Sequence, residues 1–377
     1  MQRTYSGPGR ICNLRSLLNS LTPERVLLVT GNSSFDNLHG SQDLSSILNQ
    51  YSLSRFRCLS ENPTLTELES GLETSSDFAP DVIVGIGGGR VLDMAKLIRI
   101  GNAQDGSLLD IARGNQAIVN SGPPLIAIPT TSGSGSQATH FAVLYIDGVK
   151  YSIAHRLLKP DFVILDSELT YTLPRLVTAA TGIDALCQAI ESYWNVASTD
   201  SSKTWAKSAI QSIILNIESA VHEPSPRSRE AMCRSSHLAG KAIDITKTTG
   251  PHALSYGLAA ACMIPHGHSV GLTLGSFIEF NALVSETDNN DPRGVSYARG
   301  IVDDICRLLG ASNTQEARLS FTRLMESIGL STRLSSFGIT DPSTCASLAV
   351  QVNSERLGNN PRQPTTRQLE DLLIDLL

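Results

Sequence analysis

Four short apolar runs rich in β-branched residues recur between residues 24 and 166, and helix-length segments separate them. Continuous apolar strands that alternate with helices are typical of a parallel sheet, because crossover helices cover both faces of the sheet. The pattern therefore predicts a Rossmann-like α/β domain. The four runs are VLLVT (26–30), DVIVGIG (81–87), LIAIPT (125–130) and FVILD (162–166).

The pattern changes after Leu173-Pro174, where strand-like runs fade and amphipathic helix-length segments follow one another. Two examples are TGIDALCQAIESYWNV (181–196) and SKTWAKSAIQSIILNIESAV (202–221). A chain of 377 residues is long enough to form two separate cores. We therefore predict an α/β domain over residues 1–173 and an all-α domain over residues 174–377.

The composition excludes several classes of protein. A formal net charge of -6 leaves no basic excess to bind a nucleic acid or an anionic membrane surface. The seven cysteines show no CxxC or other metal-ligand spacing, which is typical of free thiols in a reducing compartment. No signal peptide and no apolar stretch of about 18 residues is recognisable. The sequence therefore predicts a cytoplasmic protein with no nucleic-acid or membrane partner.

A glycine-rich turn joins the second apolar run to an amphipathic helix, in the sequence GIGGGRVLDMAK. Glycines let backbone N–H groups approach an anion, and the helix N-terminus adds the positive end of its dipole. This turn predicts a pyrophosphate site at Gly87, Gly88 and Gly89. A purely structural tight turn is the alternative.

A second polar turn, IPTTSGSGSQ (128–137), follows the third apolar run and places Thr130, Thr131 and Ser134 among glycines. Hydroxyls and bare backbone suit a diphosphate and a nicotinamide amide, whereas the alternative is a flexible Ser/Gly loop. Ligands of open α/β sheets collect at the carboxyl ends of the strands. Two such turns in one domain therefore favour a bound dinucleotide.

The end of the first apolar run bears on the choice of dinucleotide. Many NAD sites place a carboxylate at such a strand end, where it bonds the ribose 2'-hydroxyl and repels a 2'-phosphate. Here Gly31 is followed by Asn32 and Ser33, which leave room and donors for a phosphate. The sequence favours NADPH as cofactor and does not exclude NADH.

Four polar residues of the second domain form a candidate metal site. Asp184 and Gln188 are four residues apart, so they share one face of a helix. His252 and His266 lie further on, and Pro265 is expected to end a helix and turn His266 into a loop near His252. A mixed nitrogen and oxygen set suits Fe(II) or Zn(II). The alternative is that each residue is incidental, as a helix-end charge or a turn histidine.

Taken together, these motifs resemble the iron-containing (group III) alcohol dehydrogenase family over nearly the whole chain. The resemblance implies a Rossmann-like domain followed by a helical domain, with a metal ion facing the nicotinamide of NAD(P) in the gap between them. It also implies reduction of a small aldehyde to an alcohol, in a homodimer. The motifs that carry it are GIGGGRVLDMAK, PTTSGSGSQ, LTYTLP (169–174), GIDALCQAIES and HALSYGLAAACMIPHGH.

Residue by residue, the resemblance implies a metal site of one Asp and three His, with one departure. Asp184, His252 and His266 match, whereas Gln188 stands where the family has a histidine. An amide oxygen is a weaker ligand than imidazole for a first-row metal. On the cofactor side the resemblance includes Asp93, Lys96 and Leu173, while Arg90 and Gln137 replace the usual Ser and Glu and Gly31 stands where NAD enzymes commonly have Asp.

Within the family, residues 139–155 and 239–256 resemble phosphonoacetaldehyde reductases, which make 2-hydroxyethylphosphonate. A phosphonate tail needs cationic donors, and Lys241 and Lys247 precede His252. His268, two residues beyond His266, is a candidate to relay a proton to the alkoxide. Surface lysines and an exposed loop histidine are the alternatives.

Three other functions stay open on the sequence. A group III enzyme could act on an uncharged aldehyde or diol. A lyase or cyclase of the dehydroquinate-synthase type would share the domain plan and use NAD only transiently. A non-catalytic nucleotide sensor would have lost its metal site because Gln188 replaces a histidine ligand. Net oxidation of NADPH by an aldehyde distinguishes a reductase from the last two.

Overall fold

The four apolar runs form the centre of a parallel six-stranded sheet in the computed structural model, which describes residues 2–60, 62–352 and 354–377. The sheet order is β1-β8-β5-β4-β2-β3, and every neighbouring pair is parallel. The predicted α/β fold class is confirmed. The strands are β1 (Arg3–Ser6), β2 (Arg25–Gly31), β3 (Ser52–Cys58), β4 (Val82–Gly87), β5 (Leu125–Pro129), β6 (Phe141–Ile146), β7 (Val149–Ala154) and β8 (Phe162–Leu165).

Both faces of this sheet are buried. Along β2, Leu27 and Val29 belong to one apolar cluster, whereas Val26 and Leu28 belong to another on the opposite face. Side chains of a strand alternate between faces, so a strand covered on both sides must be apolar throughout. The helices of this half of the chain are α1 (Asn13–Leu21), α2 (Ser41–Leu48), α3 (Leu65–Phe78), α4 (Gly89–Gly101) and α5 (Leu108–Ala112).

The sequence analysis did not predict four of the eight described strands. β1 and β3 are edge strands that are partly exposed and carry arginines and serines, so they lack a continuous apolar run. β6 and β7 form a separate antiparallel hairpin. Its turn holds Asp147 and Gly148 at φ values of 50° and 78°, and an Asp-Gly pair between alternating apolar residues is a known hairpin signal.

The chain divides by its internal contacts into two compact units, Met1–Leu173 and Pro174–Leu377. Every named element of the described part of the second unit is helical, as predicted. The helices are α6 (Arg175–Trp194), α7 (Asp200–His222), α8 (Pro226–Thr246), α9 (Gly250–Cys262), α10 (His266–Ala282), α11 (Val295–Leu308), α12 (Thr314–Ser327), α13 (Pro342–Val350), α14 (Ser354–Leu357) and α15 (Thr366–Ile374).

Helix α6 is the central helix of the second unit and packs against α7, α8 and α10. It is buried almost all round, and most of its buried residues are small or apolar. Gly267 of α10 allows the closest approach, since a Cβ there would lie 2.0 Å from the carbonyl oxygen of Ala180. None of the helices built from described residues has the length and apolarity to span a bilayer.

Candidate metal centre and nucleotide turns

Three polar side chains line one face of the buried helix α6. Asp184, Gln188 and Glu191 stand at positions i, i+4 and i+7, a spacing that places them on the same side of a helix. All three are buried. Buried polar groups are costly unless they are paired, so this row needs partners.

Two histidines from different helices meet the Asp184 end of this row. His252 lies in the first turn of α9, and His266 is the first residue of α10. One ligand atom from each of Asp184, His252 and His266 lies within 4.8 Å of the other two. The expected loop position of His266 is wrong, because Pro265 precedes a helix and acts as its N-cap.

The oxygen atoms at this cluster fit a cation. Oδ1 of Asp184 lies 3.4 Å from Nε2 of His252, but neither it nor Oε1 of Gln188 accepts a well-formed hydrogen bond from any described residue. An unsatisfied buried acceptor costs about 1–3 kcal/mol, which a metal ion bound to both oxygens would offset. Two imidazoles, a carboxylate and an amide oxygen form a donor set for a divalent first-row ion.

Glu191 orients one of the imidazoles. Its Oε2 accepts hydrogen bonds from the amide and hydroxyl of Thr249, at 2.6 and 2.9 Å. Its Oε1 contacts Nδ1 of His252. If Nδ1 carries the proton that Glu191 accepts, the lone pair of Nε2 faces Asp184, as metal ligation requires. The sequence analysis missed Glu191, although its spacing of seven residues from Asp184 placed it on the ligand face.

The cluster carries a strongly negative potential. Burial lowers the pKa of His252, but Glu191 and Asp184 outweigh this effect and raise that pKa to about 10. Burial raises the pKa of Asp184, and contacts with His252, His266 and Gln188 hold it below its usual value. A site that stabilises a proton this strongly also attracts a metal cation.

The structure does not support His268 as a proton relay. Successive helical residues are rotated by about 100°, so His268 faces away from His266. Its Nε2 lies 2.7 Å from the carbonyl oxygen of Ser331, and its ring packs edge-on against Phe337. Burial lowers the pKa of this histidine. His268 is therefore a packing residue of α10.

The two predicted substrate lysines have different surroundings. Nζ of Lys241 lies 3.9 Å above the ring of Trp205, so its charge stabilises the packing of α8 on α7. Lys247 ends α8 at a φ of 61°, an uncommon value for a residue with a side chain, and leads directly to Thr248 and Thr249. A role of either lysine in substrate binding stays a prediction.

In the first unit, the two polar turns lie side by side at the ends of neighbouring strands. A Cβ on Gly88 would lie 3.4 Å from the side chain of Thr131, and one on Gly89 would lie 2.4 Å from Oγ of Ser134. Helix α4 starts at Gly89 with no side-chain cap and no acidic residue in its first turn. Its N-terminal amides therefore suit an anionic ligand.

Two of the expected cofactor residues, Asp93 and Lys96, stabilise the second turn. Asp93 accepts hydrogen bonds from Oγ of Ser136 at 2.5 Å and from the amide of Val143 at 3.0 Å. Lys96 is fully buried, and its Nζ donates to Oγ1 of Thr139 and to the carbonyl oxygen of Phe141. These contacts hold the second turn in place, and a role of Asp93 or Lys96 in cofactor binding stays a prediction.

The remaining predicted cofactor residues lie at the end of a strand or in loops. Asn32 and Ser33 are exposed directly after β2, whose last residue is Gly31. Leu173 is half-buried, and its amide donates to the carbonyl oxygen of Thr170. Thr130 donates its amide to the carbonyl oxygen of Gly87, which ties the second turn to the end of β4.

Two parts of the chain match models of known protein families. Residues 2–167 match the iron-containing alcohol dehydrogenase family, and residues 178–377 match the C-terminal domain of the same family. The chain belongs to the iron-containing alcohol dehydrogenases. The predicted family is therefore confirmed, and with it an oxidoreductase of the alcohol dehydrogenase and aldehyde reductase type.

Relatives within the iron-containing alcohol dehydrogenases include two reductases of acidic aldehydes. The chain is 33% identical to a phosphonoacetaldehyde reductase of Streptomyces viridochromogenes, over 78% of this chain and 75% of that protein. It is 31% identical to a sulfoacetaldehyde reductase of Bilophila wadsworthia, over 82% and 80%. The crystal structure of sulfoacetaldehyde reductase from Bifidobacterium kashiwanohense with NAD+ is 28% identical and superimposes with a TM-score of 0.87, covering 100% of this chain and 96% of that one.

Proposed function

We propose that this dehydrogenase uses NADPH to reduce phosphonoacetaldehyde to 2-hydroxyethylphosphonate at a divalent metal ion, Fe(II) or Zn(II). The ligands are Asp184, Gln188, His252 and His266. The observation that carries the proposal is the convergence of three of these residues, together with the unsatisfied buried oxygens of Asp184 and Gln188. A non-catalytic nucleotide binder would have no use for such a cluster.

Each part of the chain has a defined task in this reaction. When bound, the ion supplies Lewis acidity to a carbonyl oxygen, and the reduced nicotinamide supplies the hydride. Glu191 holds the His252 ring so that Nε2 faces Asp184. The N-terminus of α4 and the hydroxyls of Thr131 and Ser134 bind the diphosphate of the nucleotide.

The choice of substrate is supported by relatives named for two aldehydes that share a strongly acidic head group. A second candidate is an uncharged aldehyde, because other relatives are named as a long-chain-alcohol dehydrogenase and a probable alcohol dehydrogenase. Hydrogen bonds to a charged group contribute about 1.5–3 kcal/mol, or roughly 10- to 150-fold in affinity. Substrate comparison can therefore separate the two candidates.

The test uses protein stripped of metal with EDTA and reconstituted with Fe(II) or Zn(II). Oxidation of NADPH and NADH is followed at 340 nm with phosphonoacetaldehyde, sulfoacetaldehyde and propanal. We expect activity only after reconstitution, and a kcat/KM for phosphonoacetaldehyde at least about tenfold above that for propanal. A preference for propanal would favour the uncharged substrate, and no oxidation with any aldehyde would reject the reductase.

Arg90 supports the proposed preference for NADPH. It is the second residue of α4, which follows β4. Burial raises the pKa of the Cys58 thiol at the end of β3, and the charge of Arg90 partly opposes that rise. Since β2 lies between β4 and β3, we infer that the guanidinium reaches towards the end of β2, where the polar loop follows Gly31. A ribose 2'-phosphate bound by that loop would meet this guanidinium.

Replacement of Arg90 by Ser, the residue common in the family, should therefore weaken NADPH selectively. We expect the KM for NADPH to rise about 10- to 100-fold and that for NADH to change by less than about threefold, since only NADPH loses a charged contact. Initial rates at saturating aldehyde measure both constants. Equal effects on the two nucleotides would contradict a role of Arg90 in phosphate recognition.

A further inference from the structure

The second unit contains a buried arginine that the metal centre does not use. Arg356 of α14 is only 9% exposed. Its Nη1 donates to Oγ1 of Thr248 at 2.8 Å, the single hydrogen bond that its side chain makes with the described residues. Among the carboxylates whose side chains the structure describes, which leave out Glu355, none pairs with its guanidinium within 4 Å.

This arginine leaves most of its hydrogen-bonding capacity unused. A guanidinium has five N–H donors, and the side chain of Arg356 makes one hydrogen bond with the described residues. Arg99, which is similarly buried, has Asp161 as its partner at 2.8 Å. Arg356 has only a neutral hydroxyl in that role, so most of its binding capacity is left for a ligand.

Arg356 is connected to the metal centre through two consecutive threonines. Thr248 accepts from Arg356, and the next residue, Thr249, donates to Glu191, which in turn contacts His252. Asn359 also holds this segment, because its Nδ2 donates to the carbonyl oxygen of Thr248 at 3.0 Å. Helix α14 packs against α9, the helix that carries His252.

The two carboxylates of the metal centre, Asp184 and Glu191, do not pair with Arg356 in the described structure. Together they would balance the charge of one divalent ion bound there. Glu191 also accepts a hydrogen bond from the amide of Thr249, the N-cap of α9. The positive end of that helix dipole therefore already has an anionic partner. With both carboxylates engaged in this way, the guanidinium of Arg356 is available to a substrate.

We propose that Arg356 binds the acidic head group of the substrate, a tetrahedral oxyanion such as a phosphonate or a sulfonate. The planar guanidinium presents paired N–H groups that match two oxygens of such a group, whereas Lys241 is occupied by Trp205. This inference rests on the proposed function and names the residue that selects an anionic aldehyde over an uncharged one.

The test compares the metal-loaded wild type with Arg356→Gln and Arg356→Lys, using phosphonoacetaldehyde, sulfoacetaldehyde and propanal. For Arg356→Gln we expect kcat/KM to fall about 10- to 100-fold for both anionic aldehydes and less than about threefold for propanal. Arg356→Lys should recover part of the loss, because the charge returns without the planar fork. The ratio of the losses in kcat/KM for phosphonoacetaldehyde and sulfoacetaldehyde shows which head group Arg356 favours.

Thr248→Val is the matched control, since it removes the hydroxyl that Arg356 contacts and keeps the arginine. If Arg356 only holds the Thr248 segment, Thr248→Val and Arg356→Gln should show the same losses, and propanal should be affected as strongly as the anions. That result would overturn the proposal. A loss confined to anionic substrates in the Arg356 variants would support it.

Binding of methylphosphonate and of sulfate, measured by calorimetry on the metal-loaded proteins, separates this inference from the proposed function. If the wild type prefers propanal but binds methylphosphonate through Arg356, the proposed substrate is wrong and the anion site is supported. If the wild type prefers phosphonoacetaldehyde and Arg356→Gln leaves both the preference and the binding unchanged, the function is supported and the role of Arg356 is wrong.

Discussion

Asp184→Asn will remove the bound metal and lower kcat/KM for the aldehyde by about a thousandfold or more. Asparagine has nearly the same shape as aspartate, but it brings no negative charge to a site whose other proposed ligands are two imidazoles and an amide. A loss of about 4 kcal/mol of transition-state stabilisation corresponds to a thousandfold. Metal per chain, measured by mass spectrometry, and reduction kinetics at saturating NADPH give the two readouts.

Asp303→Asn is the control for Asp184→Asn, because Asp303 is an exposed carboxylate on α11. It should keep the metal content and kcat/KM of the wild type. The Asp184 variant should also retain NADPH binding, since the proposed nucleotide site is built by other residues. An Asp184→Asn protein that still holds one metal ion per chain would show that this carboxylate is not a ligand.

Gly267→Ala should destabilise the helical unit and damage the metal site in one step. The added Cβ would lie 2.0 Å from the carbonyl oxygen of Ala180 and 2.6 Å from Cβ of Asp184. Backbone atoms cannot rotate away, so α10 must move off α6 and carry His266 with it. We expect the free energy of unfolding to fall by about 1–3 kcal/mol or more, with a parallel loss of metal.

Gly300→Ala provides the matched control for this prediction. Gly300 is also a helical glycine, in α11, but a Cβ there meets no atom within 4 Å. Alanine should raise the free energy of unfolding by up to about 1 kcal/mol, because it is the better helix former. Urea unfolding of metal-free protein measures both variants. Equal stability of Gly267→Ala and wild type would contradict the close packing of α10 on α6.

The strands that the sequence predicted are those whose surroundings are uniform. β2, β4, β5 and β8 are adjacent in the sheet and are covered on both faces, so each is apolar along its length. The edge strands β1 and β3 are partly exposed and carry polar residues that resemble loop sequence. Burial on both faces leaves a clear signal in composition, and partial exposure removes it.

The predicted site also contains some features that the local sequence indicated and others that it could not. Helical periodicity by itself placed Asp184 and Gln188 on one face, and the glycine turns at strand ends indicated a nucleotide. Only the tertiary structure decided which other side chains share these surroundings. It brings His252 and His266 to Asp184, turns His268 towards Ser331 and buries Lys96 beside Thr139. Local spacing determines the helix face on which a residue lies. The packing of helices that are distant in sequence determines which other side chains that face contacts.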